Sequence, residues 1–254
     1  MRLTVVGCAG SVPGPASAAS CYLLEADDER RTWRFVVDMG SGSLGPLQRH
    51  TDPLGLDAVL LTHLHADHYL DLNGLYVMHR YRPGTDARGP IRVAGPAGTP
   101  QRLSLAYYGH IVSMAKHFHF ETLVDGQPLY IGPFTVTPLR TNHPVESYGF
   151  RVEVEGTVLA FTGDTDSCPA LGPLLTGADV VLADSAFIDG RDAERGIHLT
   201  GSRAAEAAMA AGGVKRLVLT HIPAWNDPEV CRAQAAAVWD GEVELAAPGA
   251  TYEF

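Results

Sequence analysis

Long hydrophobic runs, paired cysteines and clustered positive charge are all missing from this 254-residue sequence. No segment approaches the ~20 apolar residues that a membrane-spanning helix needs, so we expect no membrane association. The four cysteines are scattered without CxxC spacing, which argues against a disulfide framework and favours a reducing compartment. With 19 basic against 29 acidic residues, and a formal net charge of −10, the chain also lacks the basic surface that long nucleic acid requires.

The first residues show no pattern typical of a targeting signal. The chain opens with MRLTVVGCAG, a strand-like pattern without a long apolar core before a cleavage site, so we expect no signal peptide and a cytoplasmic location. The hydrophobic fraction of 46% and the charged fraction of 19% are those of an ordinary globular protein. We therefore interpret residues 1–254 as a single domain with a sizeable core.

The apolar pattern predicts strands that come first in hairpins and then alternate with helices, in both halves of the chain. The predicted strands are 2–7, 21–26, 33–38, 58–62, 91–95, 134–140, 148–156, 157–163, 179–184, 215–220 and 243–247. The predicted helices are 67–81, 99–109, 169–176, 201–212 and 228–238. Two sheets packed together, with helices outside, would satisfy this order. The polar segment 189–196 lacks periodicity, and we interpret it as a mobile loop beside the site.

The stretch HLHADH crowds three histidines and an aspartate into six positions, His63, His65, Asp67 and His68. No regular element aims all four at one point, because strand and helix periodicities each turn some of them away. The apolar run LDAVLL before them predicts a strand, and the residues after them follow a helical pattern. A turn at the carboxyl end of a strand is a usual place for a site, and a core has no use for four adjacent polar groups.

Three more metal-ligand side chains close apolar runs elsewhere: His143, Asp164 and His221. A single histidine at a strand end is more often structural or solvated, so these gain weight only beside HLHADH. We assign the seven residues to two metal ions and a bridge: His63, His65 and His143 for the first ion, Asp67, His68 and His221 for the second, and Asp164 between them. Imidazole and carboxylate ligands suit zinc, with manganese or iron as alternatives. His117 and His119, by contrast, are interpreted as surface or edge residues.

These motifs resemble the metallo-β-lactamase fold superfamily over essentially the whole chain. HLHADH matches its HxHxDH signature, and Asp38 in VVDMGSG, His143, Asp164 in FTGDT and His221 in LTHIP match its other landmarks in order. The resemblance implies an α/β fold, a four-layer αβ/βα sandwich of two mixed β-sheets packed face to face with helices outside. It also implies a dinuclear metal site at the sheet edges.

Within the superfamily, the chain looks closest to the ribonuclease Z-like branch. The opening VVGCAGSVPGPASAASCYLL and the segment HLTGSRAAEAAMAAGGVKRLVLTHIP carry this likeness. It implies that His198 faces the scissile phosphate and acts as the general acid, oriented by a nearby acidic residue. Asp184 stands in ADSAF where the family usually has Glu. Asp67 is expected to orient the attacking water and accept its proton as well as bind metal.

The branch resemblance implies a hydrolase, most similar to compact phosphodiesterases that include atypical cyclic-nucleotide enzymes. We predict a small phosphodiester substrate, attacked by water that two divalent ions activate. Alternatives are hydrolysis of thioesters, lactones or β-lactams, transfer RNA 3′ processing, and a metal carrier without turnover. The acidic charge, and the lack of a basic, glycine-rich arm between residues 95 and 134, disfavour the transfer RNA alternative. Members of the branch are often dimers, so a homodimer is a further expectation.

The glycine-rich loop GCAGSVPG (7–14) is not a GxGxxG phosphate loop, because its glycines are spaced differently. We expect it to pack beside the site, where Ser11 would meet a phosphate of the substrate. A plain turn between two strands explains the loop equally well.

Overall fold

The computed structural model describes residues 1–84 and 89–254, and these residues form two β-sheets with helices. The first sheet holds β1 (Arg2–Gly10), β2 (Ala18–Ala19), β3 (Cys21–Asp27), β4 (Thr32–Val37), β5 (Ala58–Leu60), β6 (Ile91–Gly95), β7 (Phe118–Thr122), β14 (Ile222–Pro223) and β16 (Thr251–Glu253). The second holds β8 (Leu129–Ile131), β9 (Phe134–Arg140), β10 (Tyr148–Val154), β11 (Thr157–Phe161), β12 (Val180–Asp184), β13 (Leu217–Thr220) and β15 (Val243–Leu245). The helices are α1 (Leu44–Leu47), α2 (Ala66–Tyr69), α3 (Leu72–Tyr81), α4 (Thr99–Tyr108), α5 (Leu171–Leu175), α6 (Gly201–Ala210) and α7 (Pro228–Ala236), with a 3-10 helix at Pro53–Gly55.

Each sheet begins antiparallel and continues parallel, as the order of strands and helices predicts. In the first sheet, β1, β3 and β4 pair antiparallel, and β4 to β7 then pair in parallel. In the second sheet, β8 to β11 pair antiparallel, and β11, β12, β13 and β15 follow in parallel. The predicted hairpin between β10 and β11 turns at Glu155 and Gly156, whose φ angles of 50° and 84° are those of a type I′ turn.

The apolar residues form three layers. The middle layer lies between the two sheets, where Phe35 of the first sheet and Phe134 of the second pack edge to face with ring centroids 4.9 Å apart. Helices α1, α3 and α4 cover the outer face of the first sheet, and α5, α6 and α7 cover that of the second. The predicted αβ/βα sandwich is confirmed. In the described ranges no helix is long and apolar enough to cross a membrane.

The predicted helix 67–81 is in fact two helices, α2 and α3, that meet at Leu70 and Asp71. The Asp71 backbone N–H donates to the carbonyl of Met39, 3.0 Å away, instead of continuing the ladder of α2. The Asp71 carboxylate accepts from the backbone N–H of Leu44 at 2.8 Å. These contacts outside the helix are long-range, so the apolar periodicity gave no sign of them. The edge strands β7 and β8 also escaped prediction, since both are short and adjoin polar turns.

We expect Phe134→Ala to destabilise the protein by about 3–5 kcal/mol, because it opens a cavity between the sheets around a side chain with no solvent exposure. Tyr130→Ala is the matched control, since Tyr130 lies on the neighbouring strand but is 66% exposed; its effect should stay within about 0.5 kcal/mol. Urea unfolding followed by circular dichroism measures both. Equal losses in the two variants would contradict this description of the core.

Candidate metal centre

The seven predicted ligands converge at one edge of the sandwich, where strand ends of both sheets meet. The HLHADH segment follows β5: His63 and His65 lie on the turn, whereas Asp67 and His68 already belong to α2. His143 lies in the turn after β9, Asp164 after β11, and His221 directly after β13. Their ligand atoms form two adjoining groups, one of His63, His65 and His143, the other of Asp67, His68, Asp164 and His221, with all atoms of a group within 4.8 Å of one another.

The first group has the spacing of a three-histidine metal site. His65 Nδ1 lies 2.9 Å from His63 Nε2 and 3.1 Å from His143 Nε2. Nitrogens bound to one tetrahedral zinc ion, at ~2.0–2.1 Å each, lie roughly 3.3 Å apart. The two measured separations are within about 0.4 Å of that value, and all three nitrogens lie within 4.8 Å of one another, so they are close enough to share one ion.

The second group contains buried atoms that other protein groups leave unsatisfied. His68 Nε2 and His221 Nε2 have no hydrogen-bond partner within the described residues, although both are buried. Each faces Asp164 Oδ2, at 3.3 Å and 3.1 Å, and His68 Nε2 is also 3.3 Å from Asp67 Oδ2. An orphaned buried nitrogen is costly in a folded protein, and a cation among these atoms would satisfy all of them.

Asp164 stands between the two groups. Its Oδ2 atom lies 3.7 Å from His63 Nε2 in the first group, besides its contacts with His68 and His221 in the second. Asp164 therefore lies where the sequence predicted a carboxylate shared by two ions. The donor set of imidazoles and carboxylates fits divalent metal, so the site agrees with the cofactor expected from sequence.

Hydrogen bonds on the far side of four of the five rings, all but that of His65, fix which nitrogen points inward. His68 Nδ1 donates to Asp38 Oδ2 at 2.7 Å, and His143 Nδ1 donates to the carbonyl of Ile197 at 2.8 Å. The Nδ1 atoms of His63 and His221 contact the hydroxyls of Thr62 and Ser20, both at 3.1 Å. Such outer contacts orient metal-binding imidazoles and set their tautomers.

Burial and mutual charge determine the protonation of the cluster. Burial, with the nearby His68, holds the pKa of His63 well below its usual range, so its lone pair is available at neutral pH. Burial alone would raise the pKa of Asp164, but His221 and His68 hold it well below the usual range. Burial lowers the pKa of His68, yet Asp164 and Asp38 outweigh that effect and raise it. Coordination of a metal ion by His68 Nε2 requires the neutral form of this imidazole.

Two residues at the centre adopt a backbone conformation that is rare for residues other than glycine. Asp38 and His221 have φ angles of 61° and 57°, in the left-handed region. Two glycines allow close contacts between backbone segments at the centre. A Cβ on Gly10 would lie 2.2 Å from the His221 carbonyl, and one on Gly40 would lie 1.9 Å from the Asp67 carbonyl. Strained residues of this kind persist where the surroundings dictate them, typically at functional sites.

His198 and Asp184 form a hydrogen-bonded pair against the metal ligands. His198 Nδ1 donates to Asp184 Oδ2 at 2.9 Å, so the shorter acid reaches the imidazole as a glutamate would. The His198 ring lies 5.4 Å from the rings of both His143 and His221. Burial lowers the pKa of His198, but the charge and hydrogen bond of Asp184 outweigh it and raise the pKa to about 9. Within the pair, Nε2 is the atom left to meet a substrate.

The loop 189–196 is tied to the body of the protein, where the sequence predicted a mobile segment. The buried carboxylate of Asp166 accepts from Arg195 Nε at 2.6 Å, from the backbone N–H of Gly196 at 2.8 Å, and from Arg203. The chain then passes Ile197, whose carbonyl holds His143, and reaches His198. Asp166 thus positions two consecutive residues that serve the site.

Other residues named in the sequence analysis are not among the clustered ligand groups. Ser11 is exposed and has a φ of 64°, and its contact with a phosphate stays a prediction. His119 lies exposed on the edge strand β7, whereas His117 packs against the buried His79 with their Nδ1 atoms 3.0 Å apart. Sequence reasoning missed Ser20 and the Ile197 carbonyl, since neither a lone serine nor a backbone oxygen has a sequence signal.

Comparison with known proteins agrees with the resemblance read from the motifs. The model of a β-lactamase superfamily domain matches residues 33–222. An uncharacterised protein of Mycobacterium leprae is 44% identical over all of this chain and 88% of its own length. Ribonuclease Z of Mycobacterium bovis is 30% identical, covering 96% of this chain and 95% of the enzyme.

A solved structure extends the likeness to three dimensions. The probable metallo-hydrolase YhfI of Bacillus subtilis is 30% identical over the full length of both chains. The crystal structure of YhfI, a metallo-β-lactamase fold protein, matches 100% of this chain and 99% of its own with a TM-score of 0.88. The ligand cluster thus lies in a fold shared along the entire chain.

We expect zinc to raise the thermal midpoint of the metal-free protein, because it binds the folded cluster and not the unfolded chain. At a hundredfold excess over the dissociation constant, linkage predicts a rise of about 5–10 °C in differential scanning calorimetry. Asp164→Ala should lose most of this rise, whereas His119→Ala, at an exposed histidine, should keep it. An undiminished rise in Asp164→Ala would remove that residue from the metal site.

We also expect Asp166→Asn to loosen the loop 189–196, since a neutral amide replaces the charge that holds Arg195 and Arg203. Trypsin should then cleave after Arg195 at least several times faster under native conditions. Asp179→Asn, which removes a surface ion pair with Lys215, serves as the control and should leave that cleavage rate unchanged. Equal rates in wild type and Asp166→Asn would show that the loop is held by other contacts.

Proposed function

This chain belongs to the metallo-β-lactamase superfamily, in its ribonuclease Z-like branch, and from this we propose that the metallo-hydrolase acts on a small phosphodiester such as a cyclic nucleotide. The observation that carries the proposal is the His198–Asp184 pair beside the ligand cluster. A hydrogen-bonded imidazole held in its protonated form suits an anionic substrate whose leaving oxygen needs a proton.

The metal centre supplies the other half of this chemistry. Divalent ions, for which zinc is our proposal, would be held by the two ligand groups and would supply Lewis acidity and an activated water. The protein's own part is to hold His63, His143 and Asp164 as deprotonated ligands. Asp67, whose pKa burial raises but His68 lowers more strongly, remains ionised and can accept a proton from the attacking water.

His198 has the position of a general acid. His143, Asp164 and His198 present one ligand or donor atom each within 4.8 Å of one another, so His198 borders Asp164, the carboxylate that would be shared by the two ions. Asp184 holds its Nδ1–H, and the proton on Nε2 can pass to a leaving alkoxide. The Phe187 ring, with its centroid 5.1 Å from that of His198, packs on the imidazole and limits its movement.

The shape of the chain favours a small substrate over a long RNA. Residues 96–133 form α4, β7 and β8, of which β7 pairs with β6 and β8 pairs with β9. The strands of this segment therefore belong to the sandwich, whereas a basic arm would have to protrude from it. The net charge of −10 would likewise repel a polyanion.

We expect the metal-loaded protein to convert 3′,5′-cyclic AMP into 5′-AMP, seen as a new phosphorus-31 signal in NMR. Asp164→Ala should abolish turnover, because it removes the carboxylate between the two metal positions. A metal-loaded protein of measured zinc or manganese content that cleaves neither this substrate nor bis-p-nitrophenyl phosphate would overturn the proposal, and thioesters and lactones would then be tested.

The rate should fall as pH rises through the pKa of His198, because only the protonated imidazole can act as the acid. We expect His198→Ala to lower kcat by about 10²–10⁴-fold with the metals retained. Asp184→Asn removes the charge that raises this pKa, so the falling limb of the pH profile of kcat/KM should move to lower pH. A limb that stays in place in Asp184→Asn would contradict the assigned pairing.

A further inference from the structure

A second concave feature adjoins the metal centre on the side of His65. It is a cavity of about 440 Å³ between α2, the start of α4, and the turn that follows His143. Its walls include the apolar side chains of Leu64, Pro96 and Val145. Because His65 belongs to both the wall and the first ligand group, a molecule bound here touches the reaction centre.

Besides His65, three polar side chains line the same cavity: Tyr69 on α2, Arg102 on α4, and Glu146. Arg102 is exposed, and within residues 1–84 and 89–254 its guanidinium takes part in no ion pair and no hydrogen bond. Most other arginines in this part of the chain are paired with a carboxylate. Arg102 therefore keeps its donors for a ligand.

Glu146 provides the opposite charge at a fixed position. Its Oε1 atom accepts a hydrogen bond from the Tyr148 hydroxyl at 2.8 Å, and Arg140 lies 3.9 Å away in a longer contact. A carboxylate in the wall repels a second phosphate or a carboxylate, and Arg102 repels a cation. The cavity is thus suited to a neutral group that both accepts and donates hydrogen bonds and has apolar faces.

We propose that this cavity binds the nucleobase of the substrate, with Arg102 donating to ring acceptors and Glu146 accepting from N–H groups. A nucleobase has the required flat apolar faces, and the mostly buried Tyr69 is among the residues that line the cavity. A base seated against His65 leaves the attached sugar phosphate directed at the metal ligands. This inference rests on the proposed phosphodiesterase function and identifies nucleotides as its substrate class.

The kinetic test compares nucleotides with a substrate that has no base. For metal-loaded Arg102→Met we expect KM for 3′,5′-cyclic AMP and cyclic GMP to rise about tenfold or more, because a charged donor is lost. The value of kcat should stay within about twofold, and the base-free 3′,5′-cyclic phosphate of 1-deoxyribose should be unaffected. Glu146→Gln, which keeps the shape but removes the charge, should act in the same direction.

Arg49→Met is the matched control, since Arg49 is also exposed but lies between α1 and the 3-10 helix and does not line the cavity. It should leave all three substrates unchanged. A rise in KM for the base-free substrate equal to that for the nucleotides would overturn the inference, because Arg102 would then act on the sugar phosphate.

A binding measurement separates this inference from the proposed function. Adenosine and guanosine carry no phosphate, so saturation-transfer NMR with wild type and Arg102→Met reports on the cavity alone. Binding to wild type that Arg102→Met weakens would support the inference even if no phosphodiester were cleaved. Hydrolysis of phosphodiesters with no nucleoside binding and no base-dependent KM would overturn the inference and leave the proposed function standing.

Discussion

The structure depends on holding seven imidazole and carboxylate groups within a few ångströms of one another, mostly away from water. Such a cluster is unfavourable unless each group has a partner on its outer side and a cation on its inner side. Four of the five imidazole rings have such outer partners: Asp38 for His68, Thr62 for His63 and His68, Ser20 for His221, and the Ile197 carbonyl for His143. They come from different strands and loops, so the cluster constrains the ends of both sheets at once.

The unusual backbone around the centre follows from this convergence. Asp38 follows β4 with a positive φ, and its carboxylate accepts a hydrogen bond from His68. His221, which follows β13, also has a positive φ. Gly10 and Gly40 lie where any side chain would collide with the neighbouring carbonyl. Conformational strain of order 1–3 kcal/mol per residue is tolerated here because the surrounding hydrogen bonds determine these conformations.

Much of this arrangement could be predicted from sequence, for identifiable physical reasons. The carboxyl ends of parallel strands lie at one edge of a sheet, so the polar residues that follow β11 and β13, Asp164 and His221, are expected at the same edge once the fold is known. The resemblance supplied His198 and Asp184, and the structure brings them within hydrogen-bonding distance. What local patterns could not reveal depends on long-range contacts: the helix break at Asp71 and the restraint of the loop by Asp166.

One short stretch of backbone serves two parts of the site. The carbonyl of Ile197 orients His143, a ligand of the first group, and the next residue along the chain is the proposed acid, His198. The two side chains are therefore linked through a single peptide unit, and we expect a displacement of one to shift the other. Coupling free energies are reciprocal. If metal binding favours one orientation of His198, then holding His198 in that orientation strengthens metal binding by the same free energy. The effects of substitutions at His143 and His198 on activity should therefore be non-additive, and selection acting on one residue would also constrain the other.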